Sequence, residues 1–163
     1  MKYLPLALLA LLISIRVCAN DSSKLYNPAA NAAKDIQTAI QQAKQQKKHV
    51  LIQAGGNWCS WCIKFNTFTT TDKSIDSLIK ANYIVYHLNY SPENRNAAVM
   101  KKYGFSQRFG FPVFLVLDAT GKLVHTQNSA YLEEGKGYSK RLVVEFLRHW
   151  TPAALSPNSY KEN

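Results

Sequence analysis

The chain of 163 residues holds only three cysteines, seven glycines and six prolines, and its 10 acidic residues are outnumbered by 20 basic ones. Three cysteines cannot build the disulfide framework on which small secreted domains with thin cores depend. So little glycine and proline excludes collagen-like and low-complexity architectures. Long apolar runs are also missing. The longest, Leu4–Ile15, has about a dozen residues, against the roughly 20 that a membrane-spanning helix needs. The four histidines, His49, His87, His125 and His149, are scattered, and none supplies the second ligand pair that tetrahedral zinc requires. No compact basic-aromatic motif argues for nucleic acid.

At the front, Met1 and Lys2 precede the apolar stretch, Val17-Cys18-Ala19 places small residues at its end, and Asn20-Asp21 opens polar sequence. That pattern reads as a cleaved export signal over 1–19. Two alternatives stand beside it: an uncleaved anchor, and a lipoprotein held through Cys18, against which Arg16 speaks. The remainder then divides into one domain over 20–155, long enough for a real core, and a loose tail over 156–163. Without Lys2 and Arg16 it keeps 18 basic against 10 acidic residues. Such a surface could attract acidic partners or anionic lipid, but a solvated basic face is the favoured reading. Membrane contact is expected to be transient at most.

Asn27-Pro28 reads as a helix start, with a capping amide and a proline at the first helical position. Ala29 to Lys48 follows as helix, with Ala32, Ile36, Ala39, Ile40 and Ala43 on one face. His49–Ala54 suits a buried strand, broken by Gly55-Gly56-Asn57. Cys59 to about Phe68 is expected to be helical and to break at Thr69-Thr70-Thr71, with a second helix over Asp72–Ala81. Tyr83–Asn89 alternates as a strand, with its tyrosines as packing residues and His87 partly exposed. Asn96–Tyr103 reads as a short helix. Val113–Leu117 and Lys122–Thr126 form a hairpin around Asp118-Ala119-Thr120-Gly121. Glu133–Tyr138 is a polar, glycine-bearing loop, and the last helix runs from about Tyr138 to Trp150. The order α-β-α-α-β-α-β-β-α implies an α/β fold, a central mixed sheet with helices on both faces.

With Cys18 removed, only Cys59 and Cys62 remain, in Trp58-Cys59-Ser60-Trp61-Cys62. Two thiols three apart at a helix start can close a disulfide within one turn, yet so small a loop constrains the unfolded chain little. The pair is therefore read as chemical. Unpaired amides and the helix dipole favour a thiolate at Cys59, lowering its pKa from about 8.5 towards about 7. Cys62, one turn further in, is placed to resolve a mixed disulfide. Haem attachment requires a histidine after Cys62, where Ile63 stands. Two thiolates also suit Cu(I), so a copper carrier is a competing use.

Val50-Leu51-Ile52, Trp58 before the Cys-x-x-Cys, and Tyr103-Gly104-Phe105 followed by Gly110-Phe111-Pro112-Val113 resemble the thioredoxin family. Within it the chain is most similar to small exported bacterial members and to the soluble thioredoxin-like end of the thiol:disulfide interchange protein DsbD. The resemblance implies a thioredoxin fold, with Pro112 cis beside the disulfide and Phe111 offering backbone bonds to substrate. Trp58, Trp61, Phe111 and Pro112 would then form an apolar docking rim. It implies a thiol–disulfide oxidoreductase that needs no bound cofactor or metal and works on client protein disulfides. Its electrons would come from a membrane or soluble thiol partner. A reductant is the expectation. An isomerase or oxidase, or a non-catalytic client- or copper-binding module, are the alternatives. One departure stands out: where thioredoxins place a buried aspartate that takes the resolving cysteine's proton, this chain has Gln53, which takes none at neutral pH. Gln53→Asp is accordingly expected to raise the rate of mixed-disulfide resolution in rapid-mixing kinetics; an unchanged rate contradicts that role.

Overall fold

The computed structural model describes residues 24–161. The expected export signal over 1–19, and the edges of the expected domain and tail, lie outside them. The elements are α1 (Ala32–Gln46), β1 (His49–Gly55), α2 (Ser60–Thr71), α3 (Lys73–Asn82), β2 (Tyr83–Asn89), α4 (Ala97–Lys102), β3 (Val113–Leu117), β4 (Leu123–Asn128), β5 (Glu133–Glu134), β6 (Gly137–Tyr138) and α5 (Lys140–His149). The main sheet runs β2-β1-β3-β4, with β1 parallel to β2 and the other two pairings antiparallel. It is the mixed sheet the sequence pattern implies. Among the described residues no helix is long and apolar enough to cross a membrane.

β3 carries no polar residue, as a strand covered on both faces should. Val113, Leu115 and Leu117 point into one core with Ala32, Ile36, Ala39 and Ala43 of α1 and Met100 of α4. Phe114 and Val116 point into the other, with Phe65 of α2, Ile75 of α3 and Val143, Phe146 and Leu147 of α5. β1 divides the same way: Val50, Ile52 and Ala54 face the first core and Leu51 the second. By strand alternation Gln53 shares the face of Leu51.

Beyond shifts of one or two residues at element ends, four features differ from the sequence reading. First, α1 starts at Ala32, capped by Asn31, whose Oδ1 accepts the Lys34 amide at 3.1 Å. Asn27 instead caps a turn by accepting the Ala29 amide at 2.9 Å. Both asparagines carry the same side-chain acceptor, and only packing of Ala32 and Ile36 on the sheet decides between them. Second, α2 runs through the threonines. Thr69, Thr70 and Thr71 donate their hydroxyls to Phe65, Asn66 and Thr67 carbonyls one turn back, which lets them stay helical. The break falls at Asp72, whose Oδ1 caps α3 through the Ser74 and Ile75 amides. Its other oxygen meets Lys140 at 2.6 Å. Those bonds, Lys140 foremost, hold the Asp72 carboxyl below the usual carboxylate range.

Third, the expected loop before the last helix is a small hairpin, with Glu133 paired to Tyr138 and Glu134 to Gly137. Gly135 turns it at a positive φ of 59°, and Ser139 stands at the N-cap of α5. Fourth, the expected loose tail closes a 3-10 turn over Pro157–Tyr160. Ser159 and Tyr160 donate hydroxyls to Ala153 and Ala154 carbonyls.

Phe114 is fully buried between Phe65, at 4.3 Å between ring centroids, and Phe146, at 5.9 Å. Phe114→Ala is expected to cost about 3–5 kcal/mol by urea unfolding; a loss below about 1 kcal/mol would mean this contact does not hold α2 and α5 to the sheet.

Candidate active site

β1 ends at Gly55, and the chain turns through Gly56 and Asn57 before Cys59, whose amide donates to Gly56 at 3.0 Å. Cys59 lies outside the helix, as the N-cap of α2, with extended dihedrals φ −92° and ψ 100°. Its sulfur accepts the Cys62 amide at 3.2 Å. Cys59 and Cys62 are joined in a disulfide with their Cα atoms 5.2 Å apart. The first sulfur thus sits against amides that a helix start leaves without partners, where a thiolate is favoured over a thiol. Cys62 is fully buried, and Cys59 is only 5% exposed.

β1 and β3 are antiparallel, with Ala54 opposite Val113. That register sets the residues just before β3 beside those just after β1. Phe111 packs against the cluster of Tyr26, Cys59 and Cys62, and the Phe111–Pro112 bond is cis. The structure therefore brings Cys59, Cys62, Phe111 and Pro112 to one end of the sheet. Trp58 joins them as the open member of the rim: it is 57% exposed, stands edge-on to Phe111 at 5.5 Å, and donates its ring N–H to the Tyr90 carbonyl at 2.8 Å. Trp61 also packs against the cluster of Tyr26, Cys59 and Cys62. It is half-buried, edge-on to Tyr138 at 5.4 Å, with the Lys64 ammonium over its ring. The Tyr138 hydroxyl donates to the Trp61 carbonyl at 3.1 Å, so the β5–β6 hairpin braces the first turn of α2. A groove of about 700 Å³ opens next to Trp58, bounded by Pro28, Asn57, Tyr90 and Arg95.

Gln53 lies behind the disulfide, 3% exposed. Its amide nitrogen donates to the Cys62 carbonyl at 2.9 Å and to the Tyr26 hydroxyl at 2.7 Å. Gln53 is thus a donor to the redox helix. Across β1 and β2 it pairs with His87, whose ring stands edge-on to Tyr26 at 5.6 Å. Burial pushes the His87 pKa down to about 4, so the ring is neutral at neutral pH.

Tyr26 and Asn57 have no part in the sequence reading of the site. Tyr26 is 1% exposed. Its backbone is clamped by Asn57, which accepts the Tyr26 amide at 3.0 Å and donates to its carbonyl at 2.7 Å. The one local signal was the apolar pair Leu25-Tyr26 after a polar lead-in, directly before Asn27-Pro28. Among the described residues no three histidine, cysteine, aspartate or glutamate side chains gather to hold a metal ion.

Gly55 makes the close packing feasible. A Cβ there would overlap the Cys62 sulfur and stand 3.0 Å from the Tyr26 hydroxyl. Overpacking of this kind costs about 1–3 kcal/mol. Gly55→Ala is expected to lose that much in urea unfolding of the oxidised protein; unaltered stability would show that the helix has room to shift.

No curated protein matches the chain significantly. By shape it is similar to the crystal structure of a disulphide isomerase from Xylella fastidiosa Temecula1, with a TM-score of 0.67 and 22% identity over 76% of this chain and 94% of that one. It is also similar to the oxidised C-terminal domain of DsbD from Neisseria meningitidis, at 0.51 and 17% over 73% and 96% respectively. A thioredoxin from Thermus thermophilus matches at 0.50 and 19% over 69% and 81%. These likenesses concern the fold. A thioredoxin-like family profile matches residues 31–119, which span α1 to the end of β3 and include both cysteines. With the disulfide at the N-cap of α2 and the mixed four-stranded sheet, the chain belongs to the thioredoxin-like family and carries the Cys-x-x-Cys centre of a thiol–disulfide oxidoreductase.

Proposed function

We propose that this protein is exported and reduces disulfides of client proteins through Cys59 and Cys62. The observation that carries the reading is the setting of the Cys59 sulfur: capping α2, bonded by one backbone amide, and bordered by Phe111 and the exposed Trp58. In the reduced protein the Cys59 thiolate attacks a client disulfide, and one client sulfur leaves as a thiolate. Cys62 then attacks the Cys59 sulfur of the mixed disulfide. The Cys59–Cys62 bond forms, the second client sulfur leaves, and two electrons have passed to the client. A membrane or soluble thiol partner returns them. The disulfide is itself the redox group, so the cycle draws on no other cofactor.

Direction follows from how strongly the thiolate is held. Ser60 and Trp61 between the cysteines bring no cation, and the bonds to the Cys59 sulfur come from the helix start alone. A modestly stabilised thiolate leaves the dithiol the less stable partner and so the better electron donor. The groove beside Trp58, lined by both Arg95 and Glu93, gives a client segment a place to lie, and the net positive charge of the chain favours acidic clients. The export signal over 1–19 rests on its sequence pattern. The named activity of the Xylella neighbour supports thiol–disulfide exchange as the chemistry, with isomerisation as the alternative direction.

Equilibration of the mature protein in glutathione and dithiothreitol buffers is expected to give a reduction potential below about −230 mV. A value between about −180 and −120 mV would make it an isomerase or oxidant. Cys59→Ser is expected to abolish insulin-disulfide reduction, and activity that persists would place the chemistry elsewhere.

A further inference from the structure

The buried end of the redox pair poses a chemical problem. Cys62 must become a thiolate to resolve the mixed disulfide, and it does so fully buried, where charge is disfavoured. Gln53 takes no proton, and its amide nitrogen is engaged with the Cys62 carbonyl and the Tyr26 hydroxyl. His87 is neutral, held so by burial.

Tyr26 is the remaining polar group at this sulfur. Its side chain forms one cluster with Cys59 and Cys62, and its hydroxyl and the Cys62 sulfur crowd the same point in front of Gly55. Because Gln53 donates to the Tyr26 oxygen, the phenolic proton is free to be donated in its turn, and no hydrogen bond among the described residues takes it. Burial raises the Tyr26 pKa, so the phenol keeps that proton at any physiological pH. The two-bond clamp by Asn57 fixes the backbone of Tyr26, and Gln53 fixes the hydroxyl at the other end.

On the reading that Cys59 and Cys62 exchange with disulfides, we infer that Tyr26 is a positioning residue for the resolving step, its hydroxyl donating a hydrogen bond to the Cys62 thiolate. It does so from the bend that leads into α1, a position outside the residues matched by the family profile. No proton passes from Tyr26. The Cys62 proton goes to water, the thiolate electron pair makes the Cys59–Cys62 bond, and the departing client sulfur takes up a proton. Hydrogen bonds to a charged group are the strong ones, and a donor held ready in an apolar site needs no reorganisation when the charge forms. The titratable groups around this sulfur are Tyr26, Cys59, His87 from β2 and Tyr138 from β6. Of these, Tyr26 is the one whose hydroxyl shares with the sulfur the space in front of Gly55.

The test uses the reduced mature protein and the aromatic disulfide dithiobis(nitrobenzoate) as probe, in rapid mixing across pH. Attack by Cys59 releases the first coloured thiolate, and resolution by Cys62 releases the second. In Tyr26→Phe, which keeps the ring, the second phase is expected to slow about tenfold at pH 7, with its pH midpoint raised by about one unit. The effect falls on the second phase, a split that general loosening of the fold does not produce. A second-phase midpoint equal to that of the parent protein overturns the inference. Should Tyr26→Phe fail to fold by circular dichroism, site-specific fluorotyrosine at position 26 gives the second reading. As a stronger donor of nearly the same shape it is expected to lower the midpoint, and an unmoved midpoint again overturns the inference. Absence of the first phase in the parent protein would instead sink the proposed exchange itself.

Discussion

The antiparallel pairing of β1 with β3 is the constraint on which the site rests. Ala54 lies opposite Val113, so the turn that leaves β1 for the cysteines faces the peptide that enters β3. Residues some fifty positions apart thereby form one surface: the sulfurs from one strand end, Phe111 and Pro112 from the other. A one-residue slip would send every β3 side chain to the opposite face. Both faces of β3 are apolar, so alternation along β3 alone does not choose. Phe114 fits only the core that holds Phe65 and Phe146, and its bulk sets the register.

The second organising feature is a polar line through an otherwise apolar region. Asn57, Tyr26 and Gln53 bond in sequence to the Cys62 carbonyl. Tyr26 and Gln53 are its buried members; buried polar groups are costly unless partnered, and both find partners on other segments. The line ties the lead-in segment, the end of β1 and the first turn of α2 together around one sulfur. Gly55 contributes by having no side chain, because the helix and the tyrosine both press on it. The β5–β6 hairpin does similar service on the far side, where Tyr138 holds the carbonyl of Trp61.

Much of this was legible along the chain. Strand β1, β3 and the buried face of α1 followed from the periodicity of apolar residues, and the cysteine pair with its proline partner followed from motif spacing and family likeness. What misled was local chemistry with two uses. Asn27 and Asn31 are equally good caps, and a threonine run breaks a helix in one context and bonds back into it in another. The half-buried setting of Trp61 involves Tyr138, seventy-seven residues away, which no local pattern announces.

By itself the sequence determined the order of the main-sheet strands and the α-helices, the two-faced α/β core and the identity of the reacting sulfurs, because these depend on side-chain pattern and on spacing within a single helical turn. Only the tertiary structure decided what surrounds the buried sulfur. Tyr26 packs with Cys62, Gln53 bonds the Cys62 carbonyl, and His87 stands against Tyr26, contacts between positions remote along the chain, and no pattern of neighbouring residues encodes which distant hydroxyl will fill the space a glycine leaves open.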